Sequence, residues 1–546
     1  MTSQSLKGIF ATLPKLVLFA LLLIIYRNGN AQVTIASDTS SNLLQILSHT
    51  RQLTLQTVDD STQLTIVAGN VKLKQGNTLF FCDSCVKNDR TKLFEAWGNV
   101  RIVDADTATV TANHLRYFED KQLAFLDGNV KLSDGHGVLT TPDLEYDMMT
   151  NIGIYKKGGR VVNGKTVLTS KEGWYYADMK DVYFKKDVVL KDPAYNIVTD
   201  SLLYNTESRT ARFISFTTIT DSTRKVIQTK EGFYNQVTKQ AEFGQRPTIL
   251  DPVKRVTVTG DRISQNDSIY MVTGRGVIVD SAQGVTIIGD KIFQNKNTEA
   301  VLATQKPLMI VKQDNDSIYI TADTLFTAKL TALYGTQDSI VVDTVSGLKI
   351  AAIGDKDSTN RYFEAFRNVR IFNDSIQAVC DSMFYSFKDS VFRLYDNPIV
   401  WAQNSQITGD TIHLFTKNKK PEKVEAYDNS FMVNKMDTDA YNQIKSRRMD
   451  GYFIDGNIDS VRARGFAECI YYLRDDADSS YTGINETKSD IMDIYFVEKE
   501  LDKVVFRSQV TGTIWPLSQK KPSEMRLEGF QWLEARRPKT KYEMFE

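Results

Sequence analysis

Cys82-Asp83-Ser84-Cys85 is the one spacing in this chain of 546 residues that suggests thiol redox or metal chemistry. A redox dithiol normally sits at a helix N-terminus, where the backbone lowers the thiol pKa, and a zinc site needs a second such pair. Neither is visible, since the remaining cysteines, Cys380 and Cys469, stand alone. On a strand, an offset of three places the two side chains on opposite faces, which disfavours a disulfide. We read both as packed small thiols. Aspartates recur in register (Asp83, Asp143, Asp200, Asp261, Asp290, Asp323, Asp381, Asp410), but they are too sparse to give one cation six to eight oxygens. The expectation is that each bonds nearby backbone N–H groups where a strand begins. His49, His114, His136 and His413 are scattered singly, and no GxSxG, HExxH, phosphate-loop or dinucleotide fingerprint is present. No catalytic residue, metal ligand or cofactor is expected, and the basic run Arg536 to Lys541 reads as a solvated tail.

The elements around these residues are repetitive. Gly69-Asn70-Val71-Lys72-Leu73 returns as Gly98-Asn99-Val100-Arg101-Ile102 and Gly128-Asn129-Val130-Lys131-Leu132, the asparagines 29 and 30 residues apart. Weaker copies continue in step to Asn368-Val369-Arg370-Ile371 and Asn429-Ser430-Phe431-Met432. Between them lies a second phrase, a small residue, Asp, any residue, then apolar and aromatic positions, as in Thr199-Asp200-Ser201-Leu202-Leu203-Tyr204. Apolar and polar residues alternate within each phrase, so these are strands with one buried face. The Gly-Asn steps read as turns between strands, because both residues tolerate positive φ. Several short strands per unit of about 30 residues follow, and a unit so small must stack on its neighbours to bury an apolar face. Phe94-Glu95-Ala96-Trp97-Gly98-Asn99-Val100-Arg101-Ile102 recurs as Phe363-Glu364-Ala365-Phe366-Arg367-Asn368-Val369-Arg370-Ile371, seven of nine positions identical. That echo points to tandem modules.

Composition narrows the function classes. Lys plus Arg number 67 and Asp plus Glu 67, so no basic excess tracks a nucleic-acid backbone. Hydrophobic residues at 42% support an ordered core. Lys7 and Lys15, the apolar run Leu16 to Ile25 and the small residues Gly29 and Ala31 form a secretory signal cleaved before Gln32. The run is too short to anchor the chain in a membrane. The expected organisation is a signal peptide over 1–31, a linker over 32–50 and a first β-repeat module over 51–330. A second module follows over 331–435, with a loop inserted near 331–361, and then a C-terminal mixed β segment and basic tail over 436–546.

At the Gly-Asn-Val repeats and the two Phe-Glu-Ala-aromatic copies, residues of about 51 to 435 resemble the organic-solvent-tolerance (OstA-like) family, which includes the periplasmic lipopolysaccharide-transport bridge (LptA-like). The resemblance implies an all-β, elongated, folded-over antiparallel β-jelly-roll with a greasy interior. It further implies a periplasmic protein of outer-membrane biogenesis that shelters lipid A acyl chains and joins similar domains edge to edge. It implies neither a nucleic-acid partner nor a transmembrane anchor. On this resemblance Val71, Leu73, Val100, Ile102, Val130, Leu132, Val369 and Ile371 face inward and line the lipid site. Two other classes fit a β repeat: an exported structural or glycan-binding solenoid without lipid, and a parallel β-helix enzyme acting on polysaccharide.

Overall fold

The computed structural model describes residues 45–47 and 50–545, apart from stretches at 76–77, 105–107, 134–136, 177, 236, 313–316, 335–340, 343–348, 351–358, 418–419, 455–456, 476–479 and 499. The signal peptide and its cleavage point, His49, His136 and most of the expected inserted loop lie outside the described residues. The rest is nearly all strand, with one short helix at Leu330–Tyr334. Every pairing among the described strands is antiparallel, for example Leu93–Asp104 with Ala108–Phe118. That excludes the parallel β-helix. No helix among the described residues is long and apolar enough to cross a membrane. The chain divides into two compact units, one running to Val253 and including Asp261–Asp267, the other comprising Lys254–Gly260 and Ser268–Glu546. The repeat arithmetic sets its own module boundary at 330.

In the first unit, strands of 10 to 14 residues dominate as far as Asp147. They are longer than the several short strands expected for each repeat, and the reason lies in the Gly-Asn steps. Gly98 and Asn99 do adopt positive φ, +71° and 48°, but inside the continuous strand Leu93–Asp104. The register slips there between Trp97 and Val100 against both neighbours, which makes the step a β-bulge. Gly69-Asn70 and Gly128-Asn129 do the same. The Gly-Asn step thus has the positive φ of turn chemistry but does not make the expected chain reversal.

At each bulge the sheet folds over. Asp181–Asp192 pairs through its first half with Glu172–Tyr176 and through its second with Thr166–Ser170, on either side of the slip at Lys185/Val188. The two halves of every such strand therefore belong to two leaves joined along the bulge line. A neighbour without a bulge changes its buried parity on crossing the fold, as Ala112 and then Leu115 do in Ala108–Phe118.

The in-register aspartates belong to this fold line. Asp83 stands opposite Gly98-Asn99 and accepts the Asn99 side-chain amide at 2.9 Å, and Asp323 and Asp410 do likewise for Asn368 and Asn429. Three of the eight thus meet the bulge asparagine of an adjacent strand, while Asp290 accepts the Arg275 backbone N–H and Asp261 pairs with Arg246. Sequence distance hid this, since Asp83 and Asn99 are 16 residues apart. A Cβ on Gly98 would fall 2.3 Å from the Asp83 carboxylate. Gly98→Ala therefore combines a strained φ with displacement of Asp83, and should cost about 1–3 kcal/mol in urea denaturation. An unchanged midpoint would show that the bulge does not need glycine.

In the second unit, Ile376–Cys380, Ile399–Ala402 and Tyr441–Gln443 are buried on both faces. One face looks into the sandwich. The other is covered by the segment after Trp515, which returns across these strands. Gln443 donates to the Met525 carbonyl and accepts from the Leu527 N–H, both at 2.9 Å. Gln406 does the same for Gln531 and Leu533 at 2.9 and 2.8 Å. Arg537 donates to the Gln377 side chain and the Gln403 carbonyl. The basic run is therefore not wholly a solvated tail: Arg536, Lys539 and Lys541 are exposed, but Arg537 is held against the sheet and Pro538 is buried.

Candidate interior binding site

The eight residues selected from the sequence are all buried, none more than 5% exposed. Six lie in the first unit: Val71, Leu73, Val100, Ile102, Val130 and Leu132. Val369 and Ile371 lie in the second. The structure joins Ile102, Val110, Leu132 and Leu139 into one cross-strand row, which continues through Val161, Leu168, Leu190, Ile197, Ile219, Ile227 and Ile249. One leaf is thus lined by an aliphatic file along the whole first unit. Alternation after each bulge produces it, because each strand contributes one residue at the same depth.

The facing leaf was not selected. It carries Ala96, Leu115, Leu126, Leu144, Phe184, Leu202, Phe213 and Phe243, all buried. A signal for it existed: on the bulged strands these residues precede the bulge, as Ala96 precedes Gly98 and Leu126 precedes Gly128, and keep the same alternation. The interior between the leaves is filled by side chains. A cavity of about 30 Å³ lies among Leu139, Leu144, Tyr155, Val161, Tyr175 and Phe184, room for little more than one water. Among the described residues the strand pairings run from leaf to leaf only along the continuous strands, so away from the bulge line side-chain packing holds the leaves together.

Cys82 and Cys85 both point into this interior, 6% and 2% exposed, and neither is in a disulfide. The expectation of opposite faces fails because the fold line passes between them and reverses the parity. A hydrogen bond to Cys85 together with burial pushes the Cys82 thiol up, and the same hydrogen bond lowers Cys85 against its burial. In the second unit a polar cleft of about 760 Å³ runs along the bulge line, lined by Asn368, Asp381, Asp396, Asp410, Asn429, Gln531 and Arg536. Asp410 there is already engaged by Asn429. No group of three or more His, Cys, Asp or Glu among the described residues could hold a metal ion.

Residues 44–200 match the family described as OstA-like protein. Comparison with curated proteins gives no match. Among solved structures, the chain is similar to LptH from Pseudomonas aeruginosa, the LptA homologous periplasmic component of the conserved lipopolysaccharide transport device. That similarity has 13% identity, covers 19% of this chain and 79% of the other, and has a TM-score of 0.18. The family match covers the first part of the repeats and of the bulge-folded leaves, and the segment 44–200 is similar to the OstA-like family.

Proposed function

We propose that this chain is a periplasmic carrier of lipopolysaccharide in outer-membrane biogenesis, and that it catalyses no reaction. Lipid A acyl chains lie between the two leaves, against the aliphatic file that includes Ile102 and Leu132 and against Val100 in the adjoining row. Each buried CH₂ contributes about 0.8 kcal/mol. The observation that carries this reading is a continuous apolar lining between two leaves hinged along a bulge line. Acyl chains enter by parting the leaves, which breaks side-chain packing and no backbone ladder. The leader 1–31 directs export, with cleavage before Gln32.

Joining to similar domains uses the sheet margins. Gln52–Asp59 pairs on one side only among the described residues and exposes Leu53, Leu55 and Val58 at 55–64%. In the other unit, among the described residues, Glu500–Arg507 and Thr511–Trp515 each pair only with Tyr481–Val497, and Val510 and Ile514 are exposed. Such open edges accept a further strand.

The rival reading, an exported structural or glycan-binding β protein, draws on the filled interior. A photo-crosslinking residue at Val100, in growing cells, separates the two. The carrier reading expects a lipid A adduct there and none from the exposed position of Lys131. No adduct at Val100, or equal labelling at both, would overturn it.

A further inference from the structure

Five tyrosines recur in the first unit at steps of 29 or 30 residues: Tyr117, Tyr146, Tyr175, Tyr204 and Tyr234. Each is the second-to-last residue of its strand. Cross-strand pairing links them into one row, with Ala124, Gly153, Val182 and Ala211 between successive tyrosines. Two strand spacings separate neighbouring phenols by about 10 Å along the leaf. The intervening residues are small, which leaves room for the rings to lie over them.

The row occupies a defined depth. It is the last inward-facing row before the hairpin turns, at the leaf margin farthest from the bulge line. The row beneath it in the same leaf is largely apolar (Leu115, Leu126, Leu144, Phe184, Leu202, Phe213), with Tyr155 among them hydrogen-bonded to Ser170 at 2.6 Å. Polarity therefore rises from a greasy floor to a phenol lip. Aromatic rings with a polar tip favour such boundaries, where one end is apolar and the other meets polar groups.

The hydroxyls themselves need a reason. Tyr146, Tyr175, Tyr204 and Tyr234 are between 1% and 4% exposed. Burial pushes Tyr146, Tyr175 and Tyr204 up to about 12, so they remain protonated donors. The Tyr204 hydroxyl is buried without a hydrogen-bond partner in the protein. An unsatisfied buried hydroxyl is destabilising, and phenylalanine would fill the same space without that cost. Packing alone does not account for tyrosine at position 204.

We propose that this tyrosine lip binds the carbonyl belt of an acylated amphiphile, its phenols donating to the ester or amide oxygens at the base of the chains. The chains then lie on the Leu/Phe floor and the polar headgroup emerges past the hairpin turns. The proposal rests on the carrier reading above and adds the orientation of the lipid and the groups that hold it.

The test uses the full mature chain and the triple variant Tyr146→Phe, Tyr175→Phe, Tyr204→Phe, which keeps the rings and removes three hydroxyls. Two probes are titrated: purified lipid A, rich in ester and amide carbonyls, and dodecyl maltoside, whose single chain is ether-linked. The expected result is a Kd for lipid A raised at least about tenfold, with dodecyl maltoside binding changed less than about twofold. Should the triple variant fold poorly by thermal melting, Tyr204→Phe alone is expected to weaken lipid A about threefold or more. Unchanged lipid A affinity, or equal weakening of both probes, overturns the lip and leaves the carrier reading standing. A wild-type chain that binds neither probe removes both.

Discussion

A chain ending at Trp515 unfolds its second unit at markedly lower urea than the full-length protein. The segment beyond Trp515 buries Met525, Leu527 and Met544, each 8% exposed or less. Met525 and Leu527 join Phe431, Tyr441, Ile470 and Tyr472, with Phe530 and Trp532 packed alongside. Leu533 packs on Trp401, and Met544 joins Leu308 and Phe372. Three such side chains at about 2 kcal/mol each make the loss about 6 kcal/mol, comparable to the whole stability of many domains. The truncated form should also aggregate, because it exposes Trp401 and Tyr441 on a sheet face otherwise covered. In the full-length chain, Gln406→Ala isolates the mechanism: it strands the Gln531 carbonyl and the Leu533 N–H, at a cost of about 2 kcal/mol. Identical urea midpoints for the truncated and full chains would make the segment a passenger.

Mild acid weakens the second unit through His413. Burial first, and then the Arg393 guanidinium, lower this imidazole from its ordinary value of 6.5 to about 4. Glu425 and Asp389 oppose the shift, and Arg448 adds to it. These neighbours come from several strands: Arg393 pairs in register with His413, and His413 with Glu425. The carboxylates are themselves engaged, Asp389 by Arg393 and Glu425 by Arg448, so they cannot fully support a charged imidazole. The folded-state pKa of a base is depressed, so the unfolded chain takes up the proton first. Stability is complete above pH 6.5, falls as the pH drops from 6.5 towards 4, and levels off below. The ring is partly exposed, so the loss is at most roughly 3 kcal/mol. Urea midpoints at pH 7, 5.5 and 4 measure it, and His413→Gln should flatten the fall across that window. A wild-type curve without slope between pH 6.5 and 4 would rule it out. Asp493 is held below the usual carboxylate range by hydrogen bonds from Arg462 and Arg507. Its contribution is present above the ordinary value of 3.8 and fades below it, outside the His413 window.

How far the sequence could be read follows from the range of the interactions. Alternation and a step near 30 are local, and they were enough to identify a β repeat with one buried face per strand, while the antiparallel pairing is seen only between strands. Positive φ at Gly98-Asn99 is also local, but a turn and a bulge demand the same backbone. Only the neighbouring strands, with Asp83 across the ladder, decide that the chain runs straight on and the sheet folds. The same fold line turns Cys82 and Cys85 to one side, where an unbroken strand would have separated them.

The C-terminal segment shows the limit most clearly. Arg536 to Lys541 carries the composition of a solvated tail, and nothing nearby in sequence speaks against that. What holds Arg537 is Gln377, 160 residues earlier. What holds Leu533 is Gln406, 127 residues earlier. The sequence by itself determined strand type, repeat length and which alternate residues turn inward, because these depend on the chain's own pleat. Tertiary structure decided where the sheet folds, which aspartate meets which bulge and what covers the outer face. Those depend on side chains brought together from distant strands, whose pairing no local pattern encodes.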